Sequence, residues 1–582
     1  MYRRISKFVL IVSLTTVTLI GVSSWRKSTQ AKSESDRPLG ASVANRAKNK
    51  APNIVFLIAD DMGYSDLKMY GGEMATPNIE ALAKSGMRFT NFHAMPSCSP
   101  TRAVILSGVD NHLAGLGNMG EHLASNQKGK PGYEGYLNDR VVTLPTLLKD
   151  AGYHTYMAGK WHLGNKEGYL PSDRGFEQSF GLTGGAASHY YDEIGYTPER
   201  PKANYRSNGK VVHLPKNFYS TEFYTNKLIE FIDRDRKDGK PFFVYAAYTS
   251  PHDPLQAPQD DIQKYQGKYD RGWDRLREER FERMKKLGLI PANLQLPARW
   301  PRVPAWETLT PEQKRYEAKK MAIYAAMVEN LDYNIGRLLD HLKKIGEYDN
   351  TIFVFFSDNG AEGSSRAESQ PYQAWFKQIG IDNSYENIGK VNSFVEIGRP
   401  WAQVQATPYQ WYKGRVSEGG IRVPAIFSYK GAIKTNTRSD AFGSVLDLMP
   451  TLLEYAGVKH PGTQYQGHSI FPIEGRSLRP VLEGKRSQIY GENDPVAFEL
   501  FGNGNSALFM GDWKIMKLNP PWGDGQWKLF NLRQDPEELK DLSKQYPERL
   551  ATMIPLYERY EREKGVIPTS EASYDALDIG NN

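Results

Sequence analysis

The sequence predicts an α/β protein: a large mixed sheet sandwiched by helices, followed by a smaller C-terminal α+β region carrying an antiparallel sheet. Three observations predict it. Several apolar runs lack any polar alternation, as strands buried on both faces do. Stretches with helical apolar spacing lie between those runs, which is the alternation of a layered α/β domain. From about Gly462 onward the elements shorten and aromatic residues increase.

The first apolar run is Ile54 to Ala59, ending in Asp60-Asp61-Met62-Gly63. The second, Pro241 to Tyr248, ends in Thr249-Ser250-Pro251-His252. The third, Thr351 to Ser357, ends in Asp358-Asn359-Gly360. Each run thus delivers polar groups at its carboxyl end, the edge where open parallel sheets bind ligands. Helices are predicted from Thr76-Pro77-Asn78 to Gly86 and from Leu144 to Ala151. The clearest is the stripe Met321, Tyr324, Val328, Leu331, Ile335, Leu338 and Leu342, read as core packing. His341 on that helix reads as solvated. Residues 254–311 read as an insertion beside the site, with a charged surface helix from Arg275 to Leu287. In the C-terminal part, strands are expected over Ser506–Met510, Trp513–Leu518 and Trp527–Asn531, and a closing helix over Glu548–Lys564.

The N-terminus carries Arg3, Arg4 and Lys7 ahead of an apolar stretch from Phe8 to about Trp25. That is the layout of a secretory signal, with 1–31 as signal peptide or uncleaved anchor and 32–50 as a polar linker. It implies an exported, periplasmic or extracellular location, with membrane contact only through this segment if it stays attached. Residues 51–461 read as the main domain and 462–582 as a smaller one. The net charge of +7 comes from 74 basic and 67 acidic residues that are interspersed, so nothing argues for nucleic-acid binding.

Cys98 is the only cysteine, so no internal disulfide exists. Ser99-Pro100 reads as a helix start with Cys98 just before it and Arg102 one turn further in. A helix N-terminus favours negative charge. Sulfur, arginine and helix end together suggest an anionic substrate; an inert buried thiol is the competing reading. Asp60, Asp61, Asp358 and Asn359 are hard oxygen donors at two strand ends, suited to Ca²⁺ or Mg²⁺. In Gly159-Lys160-Trp161-His162-Leu163-Gly164, an extended backbone turns Lys160 and His162 to one side. The triplet Asp110-Asn111-His112 reads as a loop, and Glu418 and Arg422 as structural. His93, His112, His122, His154, His189, His213, His460 and His468 carry no usable spacing.

Cys98-Ser99-Pro100-Thr101-Arg102 resembles the signature of the sulfatases, and Gly159 to Gly164 resembles their second signature. His252 after Pro251, and Lys413 within Lys413-Gly414-Arg415-Val416-Ser417-Glu418-Gly419-Gly420, are similar to further family blocks. The insertion around Tyr269 to Asp274 is similar to bacterial arylsulfatases of the pseudomonad type. The resemblance spans Asn53 to about Leu542 and implies an alkaline-phosphatase-like fold and hydrolysis of sulfate monoesters. It implies that Cys98 is oxidised before folding, by the formylglycine-generating enzyme, to formylglycine (3-oxoalanine), whose hydrate is the nucleophile. It implies a cation, usually calcium, held by Asp60, Asp61, residue 98, Asp358 and Asn359. Arg102 would steady the metal-bound hydrate and Asp358 would take its proton. Lys160 and Lys413 would bind sulfate, His162 would act on the formylglycine, and His252 would protonate the leaving group. A phosphoester or phosphonate monoester hydrolase of the same superfamily is the alternative; a glycan-binding protein without turnover would not need a convertible cysteine.

Overall fold

The computed structural model describes residues 51–571. The expected signal or anchor segment, 1–31, and the expected linker, 32–50, lie outside the described residues. Among those described, no helix is long and apolar enough to cross a membrane.

Ten strands form the main sheet: β1 (Asn53–Ala59), β2 (Met87–Phe89), β3 (His154–Lys160), β4 (Gln178–Leu182), β5 (Tyr205–Ser207), β6 (Lys210–Val211), β7 (Phe242–Ala247), β8 (Thr351–Ser357), β9 (Ala425–Ser428) and β10 (Thr437–Ser439). Their order is β10-β2-β9-β8-β1-β7-β3-β4-β5-β6. The five central strands, β8-β1-β7-β3-β4, run parallel. Antiparallel pairs β8–β9, β9–β2, β4–β5 and β5–β6 extend the sheet on both sides. The three apolar runs expected as buried strands are therefore neighbours at the centre.

Side-chain alternation divides each central strand between two cores. In β1, Val55, Leu57 and Ala59 enter one and Ile54, Phe56 and Ile58 the other. The first core is closed by helices α1 (Pro77–Lys84) and α6 (Pro311–Lys344), which bury Leu82, Ile323, Leu331 and Leu338 there. The second is closed by α2 (Cys98–Ser107), α3 (Leu144–Asp150) and α8 (Leu448–Ala456). Phe56 makes edge contacts with Phe243, Tyr245 and Phe356, so Phe56→Ala should cost about 3–5 kcal/mol.

After residue 462, strands β11 (Pro495–Leu500), β12 (Asn505–Met510), β13 (Trp513–Lys517) and β14 (Lys528–Asn531) form an antiparallel sheet. One face, with Phe498, Phe509 and Phe530, completes the second core. The other, with Leu508, Ile515 and Leu529, is covered by α9 (Pro547–Lys564) through Met553 and Tyr557.

Three sequence expectations differ locally. Helix α2 begins at Cys98, with extended Ser97 as its N-cap, so Cys98 occupies the first turn rather than preceding it. Helix α5 (Gly272–Lys286) is not simply a charged surface helix. It buries Trp273, Leu276, Phe281 and Met284, and also Arg280, whose Nη1 donates to Asp66 Oδ1 at 2.7 Å and Nε to Glu73 Oε2 at 2.8 Å. The paired carboxylates allow that charge to be buried. His341 is partly buried and lies 3.1 Å from Asp233 Oδ1.

Candidate functional site

Parallel register brings four strand ends to one edge. Ala59 pairs with Ser357, Ile58 with Ala247, and Ala247 with Gly159. Asp60-Asp61, Asp358-Asn359, Ser250–His252 and Lys160–His162 therefore leave the sheet side by side. Gly159 permits this spacing: it has φ +122°, and a Cβ there would meet the Ala247 carbonyl oxygen at 1.8 Å. The loop carrying Lys413 joins them, because the Gly414 N–H donates to the Pro96 carbonyl at 2.7 Å, next to the start of α2.

The expected site residues converge, and nearly all are buried. Lys160 Nζ donates to both oxygens of Asp60. Arg102 donates through Nε and Nη2 to Asp358 Oδ2 at 3.0 and 2.7 Å, and through Nη1 to the Lys160 carbonyl at 2.9 Å. Lys413 Nζ lies 2.9 Å from Asp61 and donates to His252 Nε2 at 3.3 Å. Asn359 Nδ2 donates to Asp61 Oδ1 at 2.6 Å. Cys98 Sγ lies 3.3 Å from His162 Nδ1.

The charges are not balanced by these pairs alone. Burial, with Asp358 nearby, pushes Asp60 well above the usual carboxylate range despite Lys160 and Arg102. Burial raises Asp61 to about 6 against the pull of Lys413. Asp358 is instead held low, because Arg102, Lys160 and Lys413 outweigh its burial. For Cys98, burial opposes ionisation, but Lys160, His162 and Lys413 overcome it and hold the thiol well below its ordinary range. His252 is the reverse: burial and the ammonium groups of Lys413 and Lys160 keep it neutral. Its Nδ1 faces the Asp253 carbonyl at 2.6 Å, which leaves Nε2 as the acceptor for Lys413. Its approach of 3.2 Å to Asp61 is therefore no ion pair.

The donor set fits a hard divalent cation. Asp60, Asp61 and Asp358 crowd one buried spot, and Asn359 Oδ1 is buried without a hydrogen-bond partner. Among the described residues, Asp60, Asp61 and His252 bring one donor atom each within 4.8 Å of the others. This group differs from the expected set in holding His252, while Asp358 is drawn toward the Arg102 guanidinium.

Two site residues carry no sequence signal. Glu121 Oε1 lies 2.7 Å from His162 Nε2, across 41 positions of sequence. Glu362 Oε2 lies 3.3 Å from Lys413 Nζ. Neither stands in a motif, and neither ends a strand.

The sulfatase family model matches residues 52–458. The chain belongs to the sulfatase family. A second model, for the C-terminal part of N-sulphoglucosamine sulphohydrolase, matches residues 408–561. This sulfatase is 43% identical over 548 residues to an uncharacterised sulfatase of Schizosaccharomyces pombe, covering 92% of this chain and 98% of that one. It is 40% identical over 447 residues to an arylsulfatase of Klebsiella aerogenes, covering 76% and 95%. Among solved structures, Ps i-CgsB in complex with k-i-k-neocarrahexaose aligns with a TM-score of 0.64 and 25% identity, covering 91% and 97%. The fold is the alkaline-phosphatase-like one, and the reaction is hydrolysis of sulfate esters.

Proposed function

We propose that this sulfatase is a sulfuric-ester hydrolase of the arylsulfatase type, working through a formylglycine made from Cys98 beside a divalent cation, calcium in the first place and magnesium as substitute. One observation carries the reading: the only cysteine opens a buried helix, 3.3 Å from a histidine and in the field of Lys160 and Lys413. An inert core thiol needs none of these neighbours. Kinship with the Klebsiella arylsulfatase supports the substrate class.

The cation would be held by Asp60, Asp61, Asp358 and Asn359 together with an oxygen at position 98. When bound, the cation would, with a formylglycine hydrate at position 98, supply the nucleophilic oxygen and offset its charge. The chain's own residues do the remainder. Lys160, Lys413 and Arg102 place positive charge where the sulfate anion must sit, and stabilise charge that develops on its oxygens during transfer. Asp358, doubly bonded by Arg102 and held low, serves better to fix that guanidinium than to accept a proton. His162 Nδ1 faces position 98. Burial would lower the pKa of His162, but Glu121 and the ionised Cys98 raise it to about 9. Once an aldehyde hydrate replaces that thiolate, the ring is placed to take a proton there. Neutral His252 holds the Lys413 ammonium through Nε2, and the proton that the leaving oxygen takes up comes from this pair and is restored from solvent after release.

Cys98 is 2% exposed, which supports oxidation by the formylglycine-generating enzyme before folding. Export through the 1–31 segment, cleaved or kept as anchor, and the division into 51–461 and 462–582 belong to the same reading.

Peptide mass spectrometry across residue 98, with turnover of matched aryl sulfate, phosphate and phosphonate, tests it. The expected result is an aldehyde at 98 and preference for the sulfate. A plain thiol in active protein would sink the formylglycine route. Preference for the phosphorus esters would favour the phosphoester or phosphonate alternative.

A further inference from the structure

The His162 ring is clamped on several sides. Its Nδ1 edge meets Cys98 Sγ at 3.3 Å and its Nε2 edge meets Glu121 Oε1 at 2.7 Å. The backbone of His162 has φ +58°, a left-handed conformation that is uncommon outside glycine and persists only where the surroundings impose it. Gly185 closes a third side. A Cβ there would lie 2.7 Å from His162 Cε1, 2.9 Å from Nε2 and 3.2 Å from Glu121 Oε1. Only a residue without a side chain leaves the ring and its carboxylate partner in place. Glu121 is itself approached at 3.8 Å by Arg200, from the short hairpin Ile194–Thr197 and Arg200–Lys202. The side chain of Glu121 is 25% exposed, that of His162 only 7%, so the carboxylate stands at the rim and the ring inside.

We propose that Glu121 is a positioning residue for sulfate-ester hydrolysis, accepting the Nε2–H of His162 so that Nδ1 is presented to the group at position 98. The inference rests on the proposed role of His162 as the group that takes a proton there. A carboxylate on one ring nitrogen fixes the tautomer and the orientation of the other. Glu121 touches neither substrate nor nucleophile in this scheme, and its whole effect passes through the ring. An amide oxygen can accept the same hydrogen bond, whereas a methyl group cannot.

The test is steady-state kinetics of Glu121→Ala, Glu121→Gln and His162→Ala on an aryl sulfate, with sodium formate added in a parallel series. Glu121→Ala should lower kcat about 10- to 100-fold with KM within about threefold, a part of the loss expected for a general base. Glu121→Gln should recover kcat to within about fivefold of the parent, and formate should raise kcat of the alanine variant alone, through the exposed rim. Gly185→Ala, whose added methyl crowds the ring and Glu121 alike, should also lower kcat with KM kept. If Glu121→Ala fails to fold, Glu121→Leu, which fills the space without accepting a hydrogen bond, carries the test with the same expected loss. The proposal is overturned if Glu121→Ala matches the parent, or if alanine and glutamine variants are impaired alike without a formate response. Loss in His162→Ala with none in Glu121→Ala would overturn it while leaving the role of His162 standing. Parental turnover in His162→Ala would overturn both.

Discussion

Lys160 Nζ donates to both carboxylate oxygens of Asp60, at 2.9 and 2.8 Å, with neither side chain more than 1% exposed. The pair joins the end of β3 to the end of β1. Removing the ammonium leaves Asp60 with Arg102 at 3.8 Å as its nearest other cation. Lys160→Met should therefore lower kcat/KM for an aryl sulfate by at least about 100-fold, the scale of one lost charge-stabilising donor. Steady-state kinetics would check this, and a variant within tenfold of the parent would remove Lys160 from the sulfate site.

Cation removal should be visible in stability as well as turnover. The raised carboxylates of Asp60 and Asp61 are relieved by a bound dication. Chelation should lower Tm and activity together, and calcium should restore both. At a free concentration a hundredfold above Kd the restored stability is about 2.7 kcal/mol. A melting curve and activity indifferent to both chelator and added calcium or magnesium would contradict the cation site.

His112 predicts a loss of stability on the alkaline side. It is fully buried, with Asp110 Oδ1 2.9 Å from Nδ1 and Glu499 Oε2 2.9 Å from Nε2; Tyr560 donates to Asp110 Oδ2 at 2.9 Å. Burial alone would lower its pKa, but the two carboxylates raise it to about 9. A folded value above the unfolded one of about 6.5 means the contribution is complete below pH 6.5 and lost as pH rises through 9. Its size is about 3 kcal/mol. Urea unfolding of parent and His112→Gln should show a stability gap that narrows between pH 6.5 and 9.5. A constant gap would mean that His112 is neutral in the fold.

Lys514 links the C-terminal sheet to the segment that carries Glu418 and Arg422. Its Nζ lies 2.9 Å from Glu418 and 2.6 Å from Glu538, and Glu418 also meets His93 at 3.1 Å and Arg422 at 3.1 Å. Breaking a buried pair by deleting one partner leaves uncompensated charge, so Lys514→Ala should cost about 3–5 kcal/mol in urea unfolding. A cost below 1 kcal/mol would show that water reaches the cluster.

Much of the site is legible in the sequence because its residues end strands. A run such as Ile54–Ala59 announces burial through its own composition, and the residues after it must emerge at the sheet edge. Asp60, Asp61, Asp358, Asn359 and His252 are legible that way; Cys98, Arg102, Lys160, His162 and Lys413 are legible through short motifs. Helix α5 shows the limit of local reading. Its string of charges looks solvated, yet Arg280 is wholly buried against Asp66 and Glu73, more than two hundred positions earlier. His112 reads as a loop residue; it does sit in a loop, but between Asp110 and Glu499.

The sequence by itself determined which residues form the central strands and which polar groups those strands carry to one edge. Both depend on patterns among near neighbours. Only the tertiary structure decided that Glu121 meets His162, that Glu362 meets Lys413, and that Lys514 closes the C-terminal sheet onto Glu418. Those contacts join distant positions through isolated polar side chains, and an isolated side-chain pair leaves no periodicity in the chain that makes it.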